Sequence, residues 1–416
     1  MVDTARLNTE FDAENIEPSM AMAHDASITA DFQEGDVSAT SPSPERSRVT
    51  ESKLTWQSFR AALTANVGRA EFVVLALVCV LLIAAQSVLY YNNITSYLYL
   101  ALTLNGKFLL TILALVVICD FTFLMVRYRP SSPLAFLSSH PAFRTLLSRV
   151  VPGVVIALCL ALFMPTFSQV KSAIPILTDY TWDATFIAWD RTLHGADPWR
   201  IIQPVLGFPV VTAMMGHLYH VWFALIHLAP ICIAMYVSDK HLKLRFFAGY
   251  FLIWSLAGMV SAVALASVGP VFLEPLIGDP YFAEQMAYLK SANAVITNPV
   301  IEVQQMLLEW YAAENYGIGR GITAMPSMHV ALAALYAFAM WDLDKRLGVV
   351  FTVYLVLIML GSVHLAYHYA VDGYVSLIMV GIIWFATKPL ANAVLGRKAD
   401  PVPQGDGNKN QSSPVT

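Results

Sequence analysis

Three side chains in this sequence have the types and spacing for chemistry. His368 and Asp372 are four residues apart, so a helix would carry both on one face. His329 lies some forty residues earlier, in the run Gly321-Ile322-Thr323-Ala324-Met325-Pro326-Ser327-Met328-His329. An Asp beside a His can hold one ring nitrogen protonated and leave the other free as a nucleophile. A second, separately placed histidine can protonate a leaving alkoxide as general acid. That division of labour suits phosphoryl transfer through a phosphohistidine, since a carboxyl or hydroxyl nucleophile would not require two histidines. Pro326 suits a first helical turn, where a missing N–H costs nothing. Free backbone N–H groups at such a start, with the Ser327 hydroxyl, would favour an anion. The competing reading is that these polar groups satisfy one another at helix ends. Ionisable groups inside membrane spans are costly and usually functional, which weighs for chemistry.

The elements that must position these groups are apolar helices. Of 416 residues, 57% are hydrophobic and 13% charged, against about 45–50% and about 25% in ordinary soluble domains. This composition excludes a disordered chain, a secreted disulfide scaffold and a nucleic-acid binder, and points to a polytopic membrane protein. The net charge of -4 offers no basic field for nucleic acid. Cys79, Cys119, Cys159 and Cys232 lie in apolar runs without metal-type spacing and read as buried thiols.

A helix crossing ~30 Å of hydrocarbon needs about 20 apolar residues. Eight runs qualify, approximately Glu71–Tyr91, Phe108–Val126, Val150–Val170, His217–Val237, Phe246–Val268, Pro326–Trp341, Gly348–Tyr367 and His368–Thr387. His329 then stands one turn into the sixth span and His368 opens the eighth. The sixth is short, so its start must sit below the membrane surface or continue into a structured loop. The expected fold is all-α, with residues 1–60 a disordered polar tail and 61–148 two additional N-terminal spans with their connection. Residues 149–394 form a six-helix core and 395–416 a second disordered tail.

Basic residues set the orientation. Lys53, Arg60, Arg69, Arg127, Arg129, Arg144, Arg149, Lys240, Lys243, Arg245, Lys345, Arg346, Arg397 and Lys398 fall on one side if eight spans alternate. Both termini are therefore expected inside, and His329, His368 and Asp372 at the outer face. Lys107 and Lys171 lie on that outer side, whose connections are more acidic, with Asp179, Asp183, Asp190 and Asp197 among others. The loop of about Lys171–Phe208 carries Trp182, Trp189 and Trp199 and reads as interfacial. In the next outer loop, Pro299–Ala313 reads as a surface helix.

Pro326-Ser327-Met328-His329 followed by His368-Tyr369-Ala370-Val371-Asp372 resembles the second and third motifs of the type 2 phosphatidic acid phosphatase superfamily. Met328 in place of the usual glycine, and the preceding Gly321–Met325 run, resemble the inositol phosphorylceramide synthase branch. The similarity covers about Val150–Leu390 and implies a six-helix bundle of that superfamily. It implies His368 as nucleophile, Asp372 as its orienting partner and His329 as general acid, with no metal or other cofactor. Asp190–Trp199 also resembles a segment of this branch and reads as an element capping the lipid site.

The departures concern cations. Where the superfamily's phosphatases have a Lys and an Arg-Pro motif, this chain reads Ser267-Val268-Gly269-Pro270, and Ser362 replaces an arginine six residues before His368. A site with fewer cations suits a phosphodiester better than a phosphomonoester. Arg320 is the best remaining cation, with Lys290, Arg191 and Arg200 behind it, and His364 can stand in for the missing arginine toward substrate. His217, His220 and His227 read as packing or interfacial groups, with His220 able to line a lipid entrance. Asp120 is placed to pair with Arg127, and Glu309 and Glu314 to face water.

The leading expectation is a lipid phosphotransferase moving a phosphorylated headgroup, such as phosphoinositol, from a glycerophospholipid to a lipid hydroxyl such as ceramide. The alternative is a lipid phosphatase acting on phosphatidic acid or a polyprenyl phosphate. A transporter with a histidine proton relay would need half-broken, internally repeated spans, and the sequence holds no such repeat. The expected partners are lipid substrates and the bilayer; nothing names a protein partner.

Overall fold

The computed structural model describes residues 68–313 and 320–397. Lys53, Arg60, Glu314 and Lys398, and the polar segments expected at 1–60 and beyond 397, lie outside the described residues. In chain order the helices begin with α1 (Arg69–Tyr91), α2 (Leu98–Tyr128) and α3 (Pro141–Ser172). The short α4 (Asp183–His194) and α5 (Pro198–Leu206) follow. Next come the long α6 (Pro209–Tyr236) and α7 (Lys240–Ala264), the latter with a π-helical turn at Leu256–Ser261. Three short helices occupy the next connection, α8 (Pro270–Ile277), α9 (Ala283–Val295) and α10 (Pro299–Ala312). The chain closes with α11 (Met328–Leu343), α12 (Lys345–His364) and α13 (Ala370–Leu395).

Among the described residues seven helices, α1, α2, α3, α6, α7, α12 and α13, are long and apolar enough to cross a membrane. The short expected sixth span is α11, with 16 residues. No strand occurs among the described residues, and the protein is an all-α polytopic membrane protein. Tight turns between long helices are fixed by carboxylate caps, which satisfy otherwise unpaired N–H groups. Asp239 accepts from His241 N and Leu242 N at the start of α7, and Asp344 from Arg346 N and Leu347 N at the start of α12.

α11 is short because it is surrounded. Residues 330–337 of this helix are almost wholly buried, and Ala331, Ala333, Ala334 and Ala337 let α7, α12 and α13 approach closely. Its N-terminus therefore opens inside the protein and continues outward as a structured loop. In that loop Tyr180 Oη donates to Ile322 O, and Ala324 N donates to Ser267 O.

Several expectations change at this level. Met328, not Pro326, opens α11, because the Ser327 side chain takes the cap by accepting from Val330 N at 3.4 Å. His329 thus lies within the first turn rather than one turn in. His368 precedes α13, so it and Asp372 meet across a helix start instead of along one face. Cys79 and Cys119 are exposed on outward helix faces, where an apolar run meets hydrocarbon; only Cys159 is buried. Asp120 does not depend on Arg127, because Tyr236 Oη donates to its Oδ2 at 2.7 Å. Trp199, expected at an interface, is buried in the core.

The turn before α8 requires its glycine. Gly269 has φ +86, and an added Cβ would stand 2.7 Å from Tyr367 O. Gly269→Ala is expected to cost about 1–3 kcal/mol, read as a lowered Tm in detergent, with activity falling too because Tyr367 adjoins His368.

Candidate active site

The turn between α12 and α13 presents the first histidine. Ser362 O accepts from both Tyr367 N and His368 N, each at 3.1 Å, which folds the chain back before the helix starts. Asp372, fully buried in the first turn of α13, reaches back to that turn. Its Oδ2 lies 3.2 Å from His368 Nδ1 and accepts from Tyr369 N at 3.1 Å. A carboxylate accepting from Nδ1–H leaves Nε2 of the same ring unprotonated.

The second histidine comes from α11. His329 stacks on Tyr219 at 4.0 Å and on Trp222 at 4.1 Å between ring centroids, both rings supplied by α6. Its Nε2 is buried without a hydrogen-bond partner among the described residues. The His329 and His368 rings stand 6.2 Å apart, centroid to centroid. That spacing is fixed by a junction between the two helix starts. Ser327 N donates to Asp372 O at 3.3 Å, and Ser376 Oγ lies 2.9 Å from Ser327 O.

Both rings line one cavity of about 360 Å³. Arg320 and Lys171 line it as well. The Arg320 guanidinium stacks over Trp310 at 4.7 Å. Lys171 interacts electrostatically with both histidines. Gly321 makes the approach possible: at φ +98 it lies so close to the end of α3 that an added Cβ would stand 2.7 Å from Ser172 Cα.

Lys171 is the cavity cation that sequence reasoning missed. The sequence puts it in an outer connection, but α3 runs on through Ser172 and turns Lys171 toward the histidines. The one available signal was helical spacing, since Ser168 and Lys171 share a face and both line the cavity. The expected shortage of cations is therefore only partial. The turn Ser267-Val268-Gly269-Pro270 carries no base because its backbone is a brace, and Ser362 is buried with Oγ donating to Met359 O.

Other expected substrate contacts fall elsewhere. Ser327 is fully buried as the α11 cap and does not line the cavity. His364 is buried too, its Nε2 2.9 Å from Thr212 Oγ1, and it also lies outside the cavity. Lys290 is exposed, Arg191 donates to Tyr281 Oη, and Arg200 pairs with Asp197 and Glu284. The structure brings together His329, His368, Asp372 and Arg320, with Lys171 added.

Two carboxylates of α4, expected to make an outer loop acidic, are instead buried supports of the site. Asp190 accepts from Ala370 N at 2.8 Å and Val371 N at 2.9 Å, capping α13 directly after the turn that carries His368. Asp183 accepts from Val268 N, Gly269 N and Tyr369 Oη. The α4 segment thus braces the turn carrying His368, where the sequence suggested a cap over the lipid. Burial raises the Asp190 carboxyl above its ordinary value, opposed in part by the two N–H donors.

An all-α membrane protein thus brings paired histidines, a buried carboxylate and two cations to one apolar-walled cavity. Residues 184–386 match the family model of the PAP2 superfamily, a span that includes Arg320, His329, His368 and Asp372. This match supports phosphatase or phosphotransferase activity on lipids. No curated protein and no solved structure matches the chain.

Two outcomes follow from this geometry. Lys171→Met and Arg320→Gln each remove a cation from the cavity, and each is expected to lower kcat/KM by about 10- to 100-fold, the worth of a charged hydrogen bond. Steady-state kinetics check this, and an unchanged kcat/KM removes the residue from the site. For Asp190, a raised folded value means the native state holds its proton more tightly than the unfolded chain. Its contribution to stability is present below the ordinary carboxylate value and is lost as pH rises through the raised value. The Tm of wild type relative to Asp190→Asn is therefore expected to climb as pH is lowered from 7 toward 4.

Proposed function

We propose that the protein is a lipid phosphotransferase. It moves a phosphorylated headgroup from a glycerophospholipid to the hydroxyl of a second lipid, in the manner of the inositol phosphorylceramide synthase branch. The observation carrying this reading is one cavity, walled chiefly by apolar and aromatic side chains, that both histidines and two cations line. Such a space can accommodate a leaving lipid alcohol and an entering one at the same phosphorus.

In the first step His368 Nε2 attacks phosphorus and the P–O bond to diacylglycerol breaks. Protonated His329 gives its proton to the departing oxygen. In the second step the acceptor hydroxyl attacks the phosphohistidine, its proton passes to His329 and the N–P bond breaks. Asp372 holds His368 in the required tautomer throughout, and Lys171 and Arg320 balance charge on the phosphoryl oxygens. Both termini are cytoplasmic in this reading and the site faces outward. Arg127, Arg149, Lys240, Lys345 and Arg397, at the helix ends away from the histidines, support that orientation.

A second reading, a lipid phosphate phosphatase, draws support from Lys171, whose charge makes a phosphomonoester easier to hold than the sequence suggested. Purified protein given labelled phosphatidylinositol, with and without ceramide, separates the two. Labelled lipid product that appears only with ceramide supports transfer; phosphate release from phosphatidic acid, with no transfer, supports the phosphatase. His368→Ala is expected to abolish either activity, and substantial residual turnover would overturn the phosphohistidine.

A further inference from the structure

The cavity does not end at the histidines. It continues along α3 past Ser168 and Met164, and along α6 from Tyr219 to His227, until it meets Asn105 and Phe108 of α2. Tyr219 and His227 are eight residues apart on one helix, so this arm reaches about 12 Å beyond the catalytic level at 1.5 Å per residue. At its far end Phe108 meets His227 edge-on, with centroids 5.2 Å apart and planes at 83°. Phe108 is 50% exposed and Phe223 beside it 46%, so the lip of the arm faces outward from the helices rather than into the core.

α2 belongs to the part of the chain that precedes the matched residues 184–386. It packs extensively on α3 and only lightly on α6. This seam of light packing is held at the arm by the Phe108–His227 contact and farther along by the Tyr236–Asp120 hydrogen bond, so the helices can part at the arm while staying joined beyond it.

We propose that the cleft between α2 and α6 is a lateral portal and chain-binding site, gated by Phe108 and His227. Through it an acyl chain of the glycerophospholipid enters from the bilayer and comes to lie along the arm. The phosphate then reaches Lys171, Arg320 and the histidines at the inner end. The occupant is apolar because most of the wall beyond Ser168 and His220 is Met164, Phe223, Ile226 and Phe108, with Asn105 and His227 its polar members. This inference rests on a lipid substrate, as proposed above, and gives the added helix α2 a role in selecting it.

The test joins the two sides of the cleft. Phe108→Cys and His227→Cys are combined and bridged with a short, reductively cleavable bis-thiol reagent, with each single variant and wild type treated alongside. Single-turnover release of diacylglycerol needs no acceptor, so it reads the first step alone. It is measured with dioleoyl and dihexanoyl phosphatidylinositol, and with the same chain lengths of phosphatidic acid. Bridging is expected to slow the dioleoyl lipids by about tenfold or more, leave the dihexanoyl lipids nearly unchanged, and reverse on cleavage of the linker. Equal loss for both chain lengths, or loss for neither, overturns the portal. Phe108→Ala, which opens the lip without a linker, is expected to raise the dioleoyl-to-dihexanoyl rate ratio; an unchanged ratio counts against chain binding there. If untreated protein releases diacylglycerol from none of the four lipids, the proposed function itself fails and the portal falls with it.

Discussion

The site depends on one buried carboxylate. Asp372 is fully buried at the start of α13, and removing a charge of that kind from water costs several kcal/mol unless partners offset it. Its offsets are local: the Tyr369 N–H, the His368 ring and the positive end of a 26-residue helix. Each offset also places something. The ring bond orients His368, and the backbone bond shapes the turn that carries it. Asp372 O, accepting from Ser327 N, ties that turn to the start of α11 and so to His329. Electrostatic compensation and catalytic geometry are here the same set of bonds.

The surrounding elements follow from keeping that junction dry and fixed. α11 is short and alanine-rich because its N-terminus must end beside Asp372 rather than at a membrane surface. Asp190 and Asp183 extend the same logic outward. Each directs its carboxylate to backbone N–H groups of the turns flanking the histidine, so α4 adds backbone anchors to a segment whose Tyr369, Ala370 and Val371 are also buried. The stacking of His329 between contacts with Tyr219 and Trp222 does the same for the second histidine, by packing instead of charge.

Much of this was legible in the sequence where the signal is periodic. Apolar runs gave every membrane-scale helix, with starts and ends shifted by several residues, because caps such as Ser327, Asp239 and Asp344 decide boundaries and hydrophobicity does not. His368 and Asp372 were legible because a pair four residues apart meets under either helical or cap geometry. Lys171 was not, since a lysine at the end of an apolar run reads equally as loop. Asp183 and Asp190 were hidden in an acidic connection, where solvent is the default partner and only tertiary contact reveals backbone donors. His364 was expected to face substrate in place of the missing arginine, but the end of α12 turns it to Thr212 instead.

Under the proposed mechanism, what separates transfer from hydrolysis is which oxygen reaches the phosphohistidine. The histidines would serve water and an alcohol alike, because either nucleophile would need only a base at His329 and an open line to phosphorus. Selection must then come from the cavity, and its walls are contributed by two parts of the chain. The matched segment supplies both histidines, one cation, Arg320, and the α6 wall of the arm, whereas α3 supplies Lys171 and, with α2, the wall that faces it. In the proposed portal, a second cation on a helix that also lines the arm would couple phosphate binding to chain binding. A lipid filling the arm would then meet both cations of the cavity, and the apolar walls it touched would be those that disfavour water.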